Sequence, residues 1–193
     1  MSHNLLLQKL SALGLDSHLL KWITSYLTHR SQYVGVNSKA SGCTQVLSGV
    51  PQGSVLGALL FLLFINDLAT LELSDGSLIY ADDLLLYRVI RSDSDYQLLQ
   101  CDIDKLFVWS DENHLFFNAI KCKYLVISRK QNSLQPAVNL NINNSVLNKL
   151  DHIEYLGVWI SNSLSWSKHI DALCKNARKK LALCTEFSTN IHL

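Results

Sequence analysis

The chain has 193 residues, which is enough for one domain or for one domain and the start of a second. Its composition is 48% hydrophobic and 17% charged, which is typical of a globular protein and excludes a largely disordered one. The net charge is +1, and the longest apolar run, residues 59–65, is far shorter than the about 20 residues of a membrane span, so we expect no membrane anchor.

The chain is predicted to begin with two amphipathic helices. Apolar residues at helical spacing predict them over residues 4–13 and 16–29. Gly14 is the expected end of the first helix, because glycine adopts the left-handed conformation that commonly ends helices. Asp16 or Ser17 is the expected N-cap of the second helix, since both side chains accept hydrogen bonds from free backbone N–H groups.

A hairpin and a loop are predicted next. Residues 32–37 and 43–47 are typical of strands, and the polar residues 38–42 are expected to join them. The loop is Ser48-Gly49-Val50-Pro51-Gln52-Gly53, in which two glycines flank a proline that has no backbone N–H donor. Such a segment continues neither a strand nor a helix, so it separates the hairpin from the next helix.

An apolar helix, an acidic hairpin and a further helix are predicted after the loop. Ser54 is the expected cap of the first helix, which runs to about Leu68. Residues 77–87 predict two apolar half-strands on either side of the dipeptide Asp82-Asp83. Residues 93–110 predict the further helix, and its apolar side carries Leu99, Ile103, Leu106 and Trp109.

The C-terminal part is predicted to consist of short strands and one helix. The strands are expected over residues 124–127, 137–142, 146–150 and 153–160, with a turn at Asn143-Asn144. The helix is expected to begin near Ser167, with Ile170, Leu173, Ala177 and Leu181 facing inward and Lys175, Arg178, Lys179 and Lys180 on the other face. Because helices and hairpins are interspersed, the fold class is predicted to be α+β and not a doubly wound sheet.

The acidic pair is the clearest candidate for chemistry. Neighbouring strand residues point to opposite faces, whereas at a tight turn both Asp82 and Asp83 can reach one cation. Residues 66–112 carry eleven acids and three bases, while residues 113–193 carry ten bases and four acids. This polarity suits a metal site in a groove that binds a polyanion. An isolated Asp-Asp is more often a simple polar turn, and on charge alone solvated helix faces are the simpler interpretation.

Further motifs stand in order around this pair. They are Trp22-Ile23-Thr24-Ser25-Tyr26-Leu27, Ser48 to Gly57, Phe64-Ile65-Asn66-Asp67-Leu68, Tyr80-Ala81-Asp82-Asp83, Trp109-Ser110, Lys121-Cys122 and Tyr155-Leu156-Gly157-Val158. Their order resembles the reverse transcriptases of non-LTR (LINE-type) retrotransposons, in which the loop is motif B and the acidic pair is motif C. The resemblance covers essentially the whole chain. A group II intron maturase-type enzyme is less similar at residues 53–57 and 64–68.

The resemblance implies RNA-templated DNA synthesis by two-metal nucleotidyl transfer. Asp82 would ligate the catalytic ions, with Asp83 assisting, and the expected ion is Mg²⁺, with Mn²⁺ as an alternative. In the loop, Gly49 and Gly53 would allow close backbone approach, and the loop residues Gly49, Pro51, Gln52 and Gly53 would contact the nucleotide or the templating base. The expected partners are an RNA template, a DNA primer and deoxynucleoside triphosphates.

The resemblance also assigns roles near the C-terminus. Lys121 aligns with the motif D lysine, a candidate general acid for the pyrophosphate leaving group. An ordinary surface lysine is an equally good interpretation. Tyr155, Leu156 and Gly157 would form the primer grip, although a plain core strand explains their apolar neighbours as well. The basic face of the last helix follows a nucleic-acid backbone or is simply solvated.

The resemblance implies a right-hand polymerase palm, an antiparallel sheet backed by helices, over residues 1–161, and the beginning of a helical thumb over residues 162–193. In the family, motif A supplies a further metal-binding aspartate, and the segment that it occupies would precede His3. The expectation is therefore a fragment without motif A and fingers, inactive on its own. Ala58 stands where the family generally has proline.

Two other expectations concern activity and environment. The alternative to a polymerase is a catalytically dead remnant that at most binds nucleic acid through its basic flanks. The five cysteines show no C-x-x-C spacing, which argues against a zinc site. Their odd number, without a secretion signal, predicts reduced, mostly buried thiols in an intracellular protein, with the nucleus or the cytoplasm expected for the family.

Overall fold

The computed structural model describes residues 1–128 and 139–189, with the side chains of residues 186–189 left aside. Over these residues the chain forms five α-helices and twelve short strands, a mixed α and β structure as predicted. It divides into two compact units, Met1–Phe117 and Asn118–Leu193. The described strands pair as six two-stranded sheets, five of them antiparallel.

The first unit begins with the two predicted helices, α1 (His3–Ala12) and α2 (Ser17–Leu27). After α1, Gly14 has φ +85° and donates its N–H to Ser11, while the N–H of Leu15 reaches back to Leu10. These two bonds satisfy carbonyls that the end of a helix leaves free. The carboxylate of Asp16 accepts from the first N–H groups of α2. Both predicted boundaries are confirmed.

The predicted hairpin forms, but its turn is shorter than expected. β1 (Ser31–Gln32) pairs with β4 (Thr44–Gln45), and β2 (Gly35–Val36) pairs with β3 (Lys39–Ala40). The turn lies at Asn37-Ser38, where both residues have positive φ. Residues 39 and 40 are therefore strand residues and not part of a five-residue connection, since Asn-Ser alone completes the reversal.

The next elements follow the predicted order. The apolar helix is α3 (Val55–Ile65), which continues as a 3₁₀ helix over Asn66–Thr70. The acidic hairpin is formed by β5 (Gly76–Tyr80) and β6 (Asp83–Tyr87). A 20-residue helix, α4 (Asp93–Glu112), ends the sequence of regular elements in this unit.

The core of the first unit lies between its helices. The fully enclosed side chains come from α1, α2, α3, the 3₁₀ helix and α4: Leu6, Leu10, Ile23, Leu27, Leu60, Phe64, Ile65, Leu68, Leu106 and Trp109. Each such side chain contributes about 1.5–3 kcal/mol by leaving water. Lys9 crosses the same region, with its Nζ bonded to the Phe64 carbonyl at 2.8 Å and to Asp67 at 2.7 Å, and it faces the ring of Trp109.

The second unit consists of strand pairs and one helix. β7 (Lys123–Tyr124) runs parallel to β10 (Asn148–Lys149), and β8 (Asn141–Ile142) pairs with β9 (Ser145–Val146) across the predicted Asn143-Asn144 turn. β11 (His152–Tyr155) pairs with β12 (Val158–Ser161). The predicted single strand 153–160 is therefore wrong, because Leu156 and Gly157 adopt positive φ and reverse the chain. The part of the predicted strand at 137–138 lies outside the described residues.

Two sequence expectations about burial are wrong. In α5 (Ser167–Thr189), the apolar residues expected to face inward are exposed, with Ile170 and Leu173 each 54% and Leu181 66% accessible. An amphipathic pattern marks an apolar face but does not supply a partner for it. Cys43, Cys101, Cys174 and Cys184 are also exposed, and only Cys122 is half-buried. None of the helices in the described residues combines the length and the apolar character needed to cross a bilayer.

Candidate functional site

The acidic pair lies at the tip of the β5–β6 hairpin. Five residue pairs hold the two strands in register, and the last of them joins Tyr80 to Asp83. Ala81 and Asp82 form a two-residue turn, in which Ala81 has φ +52°. Both carboxylates are exposed to solvent. The turn thus places two carboxyl groups next to each other without burying either, which a flat strand could not do.

The loop before α3 is fixed by the hydroxyl of Ser54. This oxygen donates to the carbonyl of Pro51 at 2.7 Å and accepts from the N–H of Gly57 at 3.0 Å. It also accepts from the hydroxyl of Tyr26 on α2, at 2.8 Å. One side chain therefore caps α3, closes the loop upon itself and ties both to α2.

The start of the chain holds the other side of the loop. Ser2 and Ser48 form an isolated antiparallel bridge, and the N–H of Gly49 donates to the carbonyl of Met1 at 2.9 Å. The His3 ring nitrogen Nε2 lies 2.7 Å from the carbonyl of Gly49. Gly49 and Gly53 have φ of +78° and +79°, a conformation that favours glycine. The backbone of the loop is thus set at both ends.

Gly57 allows the loop to lie against the first turn of α3. A Cβ at this position would be 2.6 Å from the Pro51 carbonyl oxygen and 2.7 Å from the Ser54 hydroxyl. Both distances are shorter than real Cβ contacts. Any larger residue would therefore displace the loop from the helix.

The loop and the acidic turn share one cavity. Its volume is about 610 Å³, and its lining includes Pro51, Gln52 and Gly53 of the loop, Phe61 of α3, and Asp82. It is a shallow depression that is largely open to solvent. Gln52 is exposed at its edge. Of the site residues predicted in the loop and the acidic pair, Gly49 and Asp83 do not line the cavity but are adjacent in sequence to residues that do.

The carboxylates fit a divalent cation as part of a ligand set. Asp82 and Asp83 present exposed, hard oxygen atoms beside a cavity, and Mg²⁺ is commonly held by one or two carboxylates together with waters and substrate phosphates. Within the described residues, no cluster of three or more His, Cys, Asp or Glu side chains could hold a metal ion. The two aspartates could therefore contribute two ligands to a larger set that includes waters and substrate phosphates.

The other predicted site residues belong to the second unit. Lys121 is exposed and follows a turn made by Asn118, whose side-chain oxygen accepts from the N–H groups of Ile120 and Lys121 at 3.1 and 3.3 Å. Tyr155 ends β11, and Leu156 and Gly157 form the turn to β12 with φ of +49° and +80°. The half-buried thiol of Cys122, beside Lys121, has its pKa raised by burial.

Some residues that shape the cavity were not predicted as site residues. Ser54 was expected only as a helix cap. Its hydrogen bond from Tyr26 joins residues 28 positions apart, so the local sequence could not predict this bond. Val50 and Phe61, which give the cavity an apolar wall, have no signal beyond their hydrophobicity. The close contact at Gly57 could have been suspected, since a glycine in the first turn of a helix weakens it unless packing requires it.

Comparison with known proteins finds one matching family and several similar polymerases. The sequence profile of the family described as "Reverse transcriptase (RNA-dependent DNA polymerase)" matches residues 1–160. The RNA-directed DNA polymerase from mobile element jockey of Drosophila melanogaster is 29% identical over 168 residues, which is 83% of this chain and 18% of that protein. The jockey polymerase of Drosophila funebris is 29% identical over 187 residues, 93% of this chain and 20% of that protein.

A third relative is the probable RNA-directed DNA polymerase from transposon X-element of Drosophila melanogaster, 28% identical over 165 residues. That match covers 83% of this chain and 18% of the relative, so the chain corresponds to about a fifth of these proteins. The predicted likeness to non-LTR retrotransposon enzymes is confirmed. With most of its length matched by the family profile, the chain belongs to the reverse transcriptase (RNA-dependent DNA polymerase) family.

Proposed function

We propose that the cavity between the loop and the acidic turn is the nucleotide-binding part of an active site for RNA-templated DNA synthesis. The observation that carries the proposal is that Asp82 and the loop residues Pro51, Gln52 and Gly53 line the same cavity. These segments lie about 30 positions apart in the sequence. Phosphoryl transfer depends mainly on positioning and charge neutralisation, which such an arrangement can provide.

The roles of the acids follow from their placement. Asp82 would hold a divalent cation, Mg²⁺ or alternatively Mn²⁺, and Asp83 would assist from the first position of β6. When bound, the ion neutralises charge on the triphosphate and favours attack by the primer 3′-hydroxyl. Because both carboxylates are exposed to water, their oxygen atoms would be accessible to a cation that arrives with the triphosphate.

The loop would receive the nucleotide or the templating base. Gly49 and Gly53 adopt a left-handed backbone conformation that favours glycine, and no atom lies within 4 Å of a Cβ built at either. A ligand can therefore approach the backbone closely there. Gln52 would donate and accept hydrogen bonds at the cavity edge, and Pro51 stiffens the loop between the glycines.

The second unit would act on the leaving group and the primer. Lys121 is proposed as the general acid for the pyrophosphate, and the β11–β12 turn of Tyr155, Leu156 and Gly157 as the primer grip. Leucine in the left-handed region is strained, and such strain is more frequent at functional sites. The palm would extend over residues 1–161 and the thumb would begin at 162. An RNA template, a DNA primer and deoxynucleoside triphosphates are the proposed partners.

A hybrid polymerase tests this proposal. In it, residues 1–193 replace the matching segment of the jockey polymerase of Drosophila melanogaster. We expect Asp82→Ala to lower primer extension on an RNA template on the order of 10³-fold, because a lost metal ligand removes several kcal/mol of transition-state stabilisation. Asp104→Ala, which removes an exposed acid of α4, is the matched control and should extend primers normally.

Two results would count against the proposal. Near-normal extension by Asp82→Ala would show that this carboxylate does not take part in the reaction. A correctly folded hybrid that binds primer and template but never extends them would favour the remnant that only binds nucleic acid. Circular dichroism and thermal midpoints that match those of the unsubstituted hybrid would establish that the variants are folded.

A further inference from the structure

A buried carboxylate lies outside the cavity, on the inner face of α4. Asp102 is 1% exposed and is surrounded by donors and cations. The N–H of Ser74 donates to its two oxygens at 3.0 and 3.2 Å, and the Ser74 hydroxyl donates at 2.5 Å. The Arg88 guanidinium lies 3.5 Å away and the Lys105 ammonium 3.7 Å away. Asp102 is thus fully engaged by the protein itself.

The partners of Asp102 mark both ends of the acidic hairpin. Ser74 lies two residues before β5 begins, and Arg88 directly follows β6. The guanidinium also donates to the Ser74 hydroxyl at 2.7 Å, so the two ends are joined to each other as well as to α4. The Val89 N–H donates to the Asp75 carboxylate at 3.3 Å and closes the same base. Asp102 therefore connects both ends of the hairpin to α4, beside a longer ion pair of 3.9 Å between Arg88 and Asp95 of the same helix.

Besides this base, the hairpin is held by the half-buried side chains of Ile79, Leu84 and Leu86, which pack against the core, and not by backbone pairing to a third strand in the described part of the chain. Within the described residues β5 and β6 pair only with each other, and an isolated two-stranded hairpin is marginally stable. Five residues separate its base from its tip, about 17 Å at the usual rise per residue. A small tilt at Ser74 and Arg88 would therefore be carried to Asp82 as a displacement of comparable or larger size.

A buried ion pair is a costly way to gain stability alone. Removing Asp102 and Arg88 from water costs several kcal/mol per ion, and apolar residues of similar volume often stabilise a protein at least as well. Ion pairs and hydrogen bonds differ from apolar contacts in fixing direction, since they fail when the partners shift. The ion pair and hydrogen bonds of Asp102 are therefore better suited to fixing the orientation of the hairpin than to stabilising it.

We propose that Asp102 is a positioning residue that fixes the β5–β6 hairpin on α4 and thereby sets where Asp82 stands beside the loop. The proposal rests on the proposed function of Asp82. A displacement of about 1 Å at reacting groups can cost about 100-fold in rate, so an anchor at the hairpin base matters to the chemistry at its tip. Asp102 acts only through the hairpin and touches no substrate.

The test records NMR spectra of the 193-residue chain in the absence and in the presence of Mn²⁺. Asp102→Asn keeps the shape of the side chain and removes its charge, and Ser74→Ala is a milder second variant in case the first does not fold. Asp104→Asn is the matched control, because it removes an acid from the same helix at an exposed position. Hydrogen exchange reports on the hairpin, and paramagnetic broadening of the amide signals of residues 81–84 reports on Mn²⁺ at its tip.

We expect Asp102→Asn to speed exchange in β5 and β6 about tenfold or more, as loss of a charged hydrogen bond predicts, while exchange in α1 and α2 is unchanged. The Mn²⁺ concentration for half-maximal broadening should rise, and Asp104→Asn should change neither quantity. A purely structural role would speed exchange in all elements of the first unit alike and leave Mn²⁺ binding by the folded fraction unchanged. Either that result or no change at all would overturn the proposal.

Asp82→Ala separates the positioning role from the proposed function. If it leaves Mn²⁺ broadening intact, the proposed function of the acidic pair fails, whereas the exchange comparison still decides whether Asp102 anchors the hairpin. If it abolishes broadening while Asp102→Asn affects neither exchange nor Mn²⁺ binding, the function stands and the positioning role is overturned.

Discussion

Gly57 has no side chain, and this allows the loop to pack against the first turn of α3. A Cβ there would meet a carbonyl oxygen that already accepts from the Ser54 hydroxyl, so neither group can move without breaking their bond. We expect Gly57→Ala to lower the free energy of unfolding by about 1–3 kcal/mol, as overpacking of a close contact usually does. Urea denaturation of the 193-residue chain measures this directly.

Gly42 offers the matched control for that substitution. A Cβ at Gly42 would meet no atom within 4 Å, and its φ lies outside the left-handed region. Gly42→Ala should therefore be neutral or stabilise the chain slightly by restricting the unfolded state. Equal urea midpoints for the two variants would show that the loop tolerates displacement and is not held as tightly as its hydrogen bonds indicate.

Leu156 adopts a backbone conformation that is unfavourable for its side chain. It occupies a two-residue turn at φ +49°, whereas the equivalent turn of the same unit uses Asn143 and Asn144. Asparagine adopts this conformation readily, whereas for leucine the conformation costs roughly 1–2 kcal/mol. We expect Leu156→Asn to raise the thermal midpoint of the chain and, in the hybrid polymerase, to reduce primer extension.

The control for Leu156→Asn is Leu156→Ala, which removes the exposed side chain but keeps the strained backbone. It should not raise the thermal midpoint. If both variants stabilise the chain equally, relief of strain is not the cause. If Leu156→Asn stabilises the hybrid polymerase and leaves extension unchanged, the turn has no part in holding the primer.

At the scale of elements, α4 begins with a reciprocal capping arrangement. The backbone N–H groups of Arg91 and Ser92 donate to the Asp95 carboxylate, and these bonds hold the pKa of Asp95 below its usual value. A lowered pKa in the folded state contributes stability above the pKa of the unfolded chain, and this contribution is lost as the pH falls through the folded value. The cap is therefore strongest at neutral pH.

We expect Asp95→Asn to lower the urea midpoint at pH 7 and to have progressively less effect as the pH falls below about 4, the ordinary pKa of an aspartate. Asp93→Asn removes the other acid of the first turn and controls for the general attraction of negative charge to a helix N-terminus. A loss of stability that is the same at every pH, or equal in the two variants, would contradict the assigned role.

Elements were predictable where local chemistry decides them. The helix starts at Asp16 and Ser54 and the hairpin at Asp82-Asp83 were predictable, because each depends on side chains that act within four residues. The turn at Asn37-Ser38 was missed because the polar residues that suggested a connection continue to residue 42. The reversal at Leu156 was missed because leucine is a poor turn former, so residues 153–160 resemble one continuous strand. The exposed face of α5 was missed for a related reason, since periodicity shows an apolar stripe without showing whether anything covers it.

At the scale of the molecule, the sequence motifs predicted which residues form the candidate site, but they did not predict the contacts that hold those residues in place. The acidic pair and the loop were both identified from the sequence, and Asp82 lines one cavity with Pro51, Gln52 and Gly53 of the loop. The network that brings them together was not, because the contacts of Tyr26 with Ser54 and of Ser74 with Asp102 each join residues 28 positions apart. Such pairs obey no local rule and emerge only once the helices have packed.

The proposed site includes two carboxylates, those of Asp82 and Asp83, and no group of three or more potential metal ligands occurs among the described residues. We therefore expect the 193-residue polypeptide to bind Mg²⁺ weakly and to show no primer extension by itself. Extension assays with Mg²⁺ and with Mn²⁺ test this. Robust synthesis that disappears in Asp83→Ala would demonstrate that the polypeptide completes its own ligand set.

The core of the first unit joins Leu6 and Leu10, near the beginning of the chain, to Leu106 and Trp109, about a hundred residues later. A ribosome would thus have released α1, α2 and α3 before the helix that covers them exists. Until α4 emerges, Phe64 and its neighbours remain open to water, and at about 5–20 residues per second that interval lasts several seconds. The nascent chain is therefore expected to depend on chaperones during its synthesis, and the acidic hairpin can be anchored only after α4 has been made.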